Sequence, residues 1–129
     1  MERPRLQRAA AWLAAAWAGE MAAIGFIAAP VLFAALARDD AGRVAARLFA
    51  IDAYCGLAFG AALLVIALRR SAGNVAPGAS RFSVEMLLAL AALFCIVAGH
   101  FAVQPMIDTA RSGGTGPSFA VLHGVSSAF

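Results

Sequence analysis

The stretch "FAIDAYCGLAFGAALLVIAL", Phe49 to Leu68, decides the fold, because Asp52 is its only charged residue. About 20 apolar residues rising 1.5 Å each as helix match a hydrocarbon core about 30 Å thick, so this segment reads as a transmembrane helix. Inside it Gly56 and Gly60 form a G-x-x-x-G pair, with Asp52 four residues earlier on the same stripe. Small residues at that spacing let two helix backbones approach closely, so the stripe reads as a packing face.

Working outward, two more stretches are long enough to cross: "AAAWLAAAWAGEMAAIGFIAAPVLFAAL" (Ala9 to Leu36) and "FSVEMLLALAALFCIVAGHFAV" (Phe82 to Val103). A fourth apolar stretch, "PSFAVLHGVSSAF" (Pro117 to Phe129), has 13 residues, about 20 Å as helix, and reads as an incomplete span. Of 129 residues 63% are apolar and 13% charged, against roughly 45–50% and 25% in soluble domains. The expected fold is therefore all-α, a single transmembrane domain over residues 1–129. Its architecture is an integral membrane antiparallel four-helix bundle with a truncated fourth helix. The lipid bilayer is its first partner.

A cleaved leader is the competing reading of the N-terminus, since "MERPRLQR" is basic and "AWA" before Gly19 fits a small-residue cleavage rule. The apolar run, however, continues to Leu36, which suits an uncleaved span. Lysine is absent, so orientation rests on arginine. Arg3, Arg5, Arg8, Arg69, Arg70 and Arg81 fall on one side; Arg38, Arg43, Arg47 and Arg111 fall on the other. The positive-inside rule then places the N-terminus in the cytoplasm. The net charge of +3 reflects this topology and contact with anionic lipid, since no basic helix or aromatic platform for nucleic acid is present.

Connections are short. "SAGNVAPGAS" (Ser71 to Ser80) and "RSGGTGPS" (Arg111 to Ser118) are turn sequences, and Pro117 is placed to open the fourth helix. "ARDDAGRVAARLF" reads as an interfacial helix or an extension of the second span, with Asp39 or Asp40 as N-cap. Pro30 is expected to kink the first helix, because it lacks an N–H for the carbonyl one turn earlier. Gly99 extends a small stripe in the third span, Ala91–Cys95–Gly99, and joins Gly56, Gly60 and Pro30 as a candidate packing position.

Ionisable groups inside a span cost several kcal/mol unless paired or wet, which makes each a candidate for function. Glu20 lies near the middle of the first span; Asp52 lies near the outer end of the second. Glu85 lies one turn inside the third, within reach of headgroups or of Arg81 at i−4. Topology brings His100, Asp52 and His123 to one depth, so these three are the candidate metal site, with the two histidines as candidate cofactor ligands. Neutral imidazoles suit haem iron, copper or zinc, and a carboxylate can orient one of them. The plainer reading is that each histidine hydrogen-bonds across helices. Cys55 and Cys95 read as small packing residues. No catalytic residue is identified: the chain has no H-E-x-x-H, C-x-x-C, nucleophile–base pair or phosphate loop.

The segments "WAGEMAAIGFIAAPVLFAAL" (Trp17 to Leu36), "AGRVAARLFAI" (Ala41 to Ile51), "GHFAVQPMID" (Gly99 to Asp108) and "FAVLHGVSS" (Phe119 to Ser127) carry a resemblance. In that order they are similar to the bacterial relatives of transmembrane protein 205, small four-span proteins of unknown function. The matching positions are Trp17 and Gly19; Ala29, Pro30 and Phe33; Gly42, Leu48 and Phe49; Pro105, closing the third helix; and Leu122 with His123. That family often has asparagine where this chain has His100, which implies hydrogen bonding at that position. The resemblance also implies an architecture like that of copper-resistance membrane proteins and small haem-binding four-span oxidases. Two functional readings follow. One is a non-enzymatic helix-packing or accessory protein, working as a homo-oligomer or as a subunit of a membrane complex. The alternative is a haem- or metal-binding bundle for transport or redox that uses His100 and His123.

Overall fold

The computed structural model describes residues 2–72, 82–113 and 116–126. Helix α1 (Glu2–Ala23) passes through a π turn (Ile24–Ala28) into α2 (Ala29–Ala35), and α3 (Arg38–Ala72) follows after two residues. Helix α4 (Val84–Val97) passes through a second π turn (Ala98–Val103) into α5 (Gln104–Arg111), and α6 (Phe119–Ser126) ends the described chain. Three continuous rods, Pro4–Ala35, Arg38–Ala72 and Val84–Ala110, are long and apolar enough to cross a membrane. At eight residues α6 is about 12 Å long, well short of a crossing. The described fold is thus three spanning helices and a short fourth one. Residues 127–129 of the fourth apolar stretch, most of the Ser71–Ser80 turn and Arg81 lie outside the described residues.

Local chemistry accounts for the helix ends. Leu36 turns to an extended backbone (φ −118°, ψ 157°) and stops α2. Asp39 and Asp40 in the first turn of α3 complement its positive end, and Arg69 and Arg70 in its last turn complement the negative end. These charges carry the helix beyond its lipid-matched stretch, so α3 starts at Arg38, eleven residues before Phe49. Asp40 also pairs with Arg43. The Ser83 hydroxyl accepts from the Met86 N–H at 3.2 Å and caps α4. Gly113, at φ +79°, supplies the left-handed residue that ends α5, a conformation other residues adopt only under strain. Ser118 accepts from the Val121 N–H at 3.5 Å and opens α6.

Pro30 and Pro105 sit inside continuous helix, each two residues past a π turn. A proline ring in an α-helix collides with the carbonyl four residues back and leaves it without a donor. The π turn inserts one extra residue, with Ala29 N–H donating to Ile24 O and Gln104 N–H to Gly99 O. The widened turn makes room for the ring and the helix continues. Pro105 therefore stands inside the third helix and does not close it.

The second span is central. Trp17 stacks on Phe59 with ring centroids 6.4 Å apart, and the Cys55 thiol faces the Glu20 carboxyl. On the other side Leu93 presses on Gly60, Ile96 on Gly56, and His100 on Tyr54. In both sets one residue number rises as the other falls, so each flanking span runs antiparallel to the second. The interior is made of small side chains: Ala41, Ala45, Ala67 and Ala89 are buried, as are Gly56 and Gly60. The largest apolar residues, Trp12 and Phe26 among them, face outward, as lipid contact requires. A separate cluster of Val103, Ile107 and Leu122 fastens α6 to the end of the third span.

Candidate functional site

The first and third spans flank the second and leave a lengthwise groove between them, with a volume of about 1130 Å³. Its floor is one stripe of α3 at helical spacing: Gly42, Ala45, Ala53, Gly56 and Ala67. Glycine and alanine there keep the floor low enough for another backbone to approach. The walls carry large apolar side chains that stand exposed, namely Met21, Phe33, Phe49 and Leu88, the last 64% exposed. Gln7, Arg70 and Glu85 line one end, and Gln104 and Ile107 line the other. Because Ile107 also packs on Leu122, α6 sits beside that second end.

The glycines are held close. A Cβ on Gly60 would lie 2.7 Å from Leu93 Cδ2, and one on Gly56 would lie 2.9 Å from Ile96 Cδ1 and 3.3 Å from Trp17 Nε1. Gly56 is thus pinched from both flanking spans. Gly99 is half-buried and lines the groove from the third span.

Polar groups gather at mid-height. Glu20 falls at the centre of the Pro4–Ala35 rod, and the Cys55 thiol is within hydrogen-bonding reach of it. Asp52 stands close enough to Glu20 for the two charges to act on each other. Because α3 begins at Arg38, Asp52 is fourteen residues into its helix and level with Glu20. Glu20 Oε2 and Asp52 Oδ1 are both buried without a hydrogen-bond partner among the described residues. Unsatisfied carboxyl oxygens in an apolar interior are costly, so the three-span unit leaves unmet polar demand beside the groove that Asp52 lines.

His100 lies in the second π turn and also lines the groove. Its ring meets Tyr54 edge-on at 5.5 Å and Phe101 at 4.8 Å. His100 and Asp52 therefore share one groove. His123 falls on α6, but its side chain is outside the described part of the structure, so a meeting of all three is not described. Among the described residues no three His, Cys, Asp or Glu side chains are grouped so as to hold a metal ion. Cys55 and Cys95 are both free thiols.

Glu85 pairs with Arg70 at 2.7 Å, joining the end of the second span to the start of the third. Sequence spacing offered Arg81 at i−4; Arg70 is found only through the antiparallel register. The Glu20–Asp52–Cys55 grouping was likewise missed, although equal helix-centre positions in neighbouring spans are a usable signal for it.

Residues 12–115 match the family described as a domain of unknown function, DUF4149. No curated protein and no solved structure matches the chain.

Proposed function

We propose that this chain, which belongs to the DUF4149 family, is a non-enzymatic accessory protein of the membrane whose groove takes up one further transmembrane helix. The observation that carries this reading is the groove itself, with its glycine and alanine floor, exposed apolar walls and, at mid-height, an Asp52 oxygen without a partner among the described residues. A helix seated there completes a four-helix bundle and covers Leu88 and Phe49. A polar side chain on it would satisfy Asp52. The occupant is a second copy of the chain or a helix of a membrane complex. The resemblance to transmembrane protein 205 supports a four-span plan, and the arginine balance supports a cytoplasmic N-terminus in a bacterial inner membrane.

A cysteine at the groove floor tests this. Ala53→Cys, in a chain lacking Cys55 and Cys95, is expected to crosslink in native membranes to a second copy or to another membrane protein. A crosslink confined to the chain's own C-terminal segment, or none, overturns the accessory reading.

A second reading is favoured by the shared lining of Asp52 and His100. In it the groove binds haem or copper through His100 and His123, with Asp52 as orienting acceptor. A visible spectrum and metal analysis of the purified protein separate the two readings.

A further inference from the structure

The first and third spans carry the same device, a π turn followed two residues later by proline. Ile24–Ala28 begins one turn beyond Glu20, which faces Asp52 and Cys55; Ala98–Val103 contains His100, which touches Tyr54. The two widened turns therefore flank neighbouring stretches of the second span, the first lying about one turn nearer the start of α3. What lies beyond each turn differs. Helix α2 packs on α3 and is tied to it through Leu36 and Ala37, so the first π turn is a fixed bend. Beyond the second turn, α5 packs on α6 through Ile107, Ala110 and Leu122, with Val103 of the turn beside them, while the main packing of the third span on α3 belongs to α4.

We propose that the π turn Ala98–Val103 is a hinge, latched by His100 against Tyr54. On it the arm formed by α5 and α6 swings as one body and opens or closes one end of the groove. Three features support the device. The turn lacks the donor that Pro105 cannot supply, so its hydrogen-bond ladder is already interrupted. Within the arm Ile107 packs with Leu122, which holds α5 and α6 together as one body, and Val103 at the end of the turn joins them. The latch is the cross-span contact of the His100 ring with Tyr54 at the pivot, reinforced by Phe101 at 6.4 Å from Tyr54. Hinges absorb large backbone changes at a few element-terminal residues, and a π turn ahead of proline is such a place. Gln104 and Ile107, on the arm, form the groove end that would move.

Spin labels at Met106→Cys on the arm and Val44→Cys on the second span, both exposed positions, in a chain lacking Cys55 and Cys95, read the motion by pulsed electron resonance in nanodiscs. The expected result is a distance distribution with two populations. His100→Ala and Tyr54→Ala each shift their ratio at least threefold toward one of them, and Tyr54→Phe, which keeps the ring, restores the original ratio. Pro105→Ala, which returns the N–H, is expected to collapse the distribution toward a single distance. A single narrow distance in the unmodified sequence, or a distribution that none of these variants changes, overturns the proposal. Helical content measured on each variant keeps misfolding apart from loss of the latch.

Discussion

Leu93 Cδ2 lies 2.7 Å from where a Cβ on Gly60 would stand. The contact fixes how near the second and third spans can come, and it sets the register that carries Ile96 to Gly56 and Glu85 to Arg70.

Gly60→Val is therefore expected to destabilise the chain by about 1–3 kcal/mol, because Leu93 cannot retreat without moving its helix. Pairing it with Leu93→Ala should recover a large part of that loss, since the two side chains compete for one space. Unfolding in detergent, followed for both single variants and the double, reads the coupling. Strict additivity would show that the spans do not meet at this point.

The Arg70–Glu85 pair is partly solvent-exposed, so its contribution is small despite the 2.7 Å contact. Glu85→Gln is expected to cost less than about 1 kcal/mol, with the loss shrinking as salt is raised. The exchanged pair Arg70→Glu with Glu85→Arg should return most of it. The test is the unfolding midpoint at low and high ionic strength.

Among the described residues Glu20 Oε2 is buried without a hydrogen-bond partner. Glu20→Met should accordingly raise the stability of the purified protein by about 1–3 kcal/mol, the penalty of an unsatisfied buried polar group. A fall in stability would show that the carboxyl is satisfied by a group inside the bundle.

Ligand binding by the histidines makes its own forecast. If His100 and His123 hold haem or copper, the purified protein shows a Soret band or stoichiometric copper, and His100→Ala and His123→Ala each abolish it. A colourless, metal-free protein that stays folded in both variants leaves the helix-docking reading alone in the field.

Orientation is checked by thiol labelling in intact cells. Ser112→Cys is expected to react with an impermeant maleimide from outside, and Ala72→Cys only after permeabilisation, both positions being exposed in the fold. The reverse pattern inverts the topology.

Hydropathy made the three spans legible, because an 18-residue apolar window has one physical meaning in a chain so poor in charge. It could not show where the helices end. Hydropathy responds to lipid, whereas α3 begins among Arg38, Asp39 and Asp40, whose backbone is stabilised by helix-terminal charge. Depth along one span, moreover, says nothing of its neighbours, and so the place of Asp52 beside Glu20 and Cys55 stayed hidden. The resemblance implies a helix closed at Pro105, yet the helix runs on, because a π turn accommodates the ring that a strict α-ladder excludes. Arg70 and Glu85 are fifteen residues apart, and nothing short of the antiparallel register joins them. The candidate polar residues were visible one by one, through their rarity in an apolar chain; their grouping was a tertiary fact.

The central claim is that the groove holds a helix, and fluorescence quenching tests it most directly. Leu88 lines the groove and Leu87 stands exposed at nearly the same depth, 64% and 52% exposed respectively. Leu88→Trp and Leu87→Trp are each introduced with Trp12→Phe and Trp17→Phe, and the protein is transferred from its native membrane, without dispersal of its complexes, into brominated phospholipid. The predicted result is strong quenching of the Leu87→Trp reporter and several-fold weaker quenching of the Leu88→Trp reporter. Equal quenching of the two would mean that lipid fills the groove, and would contradict the account.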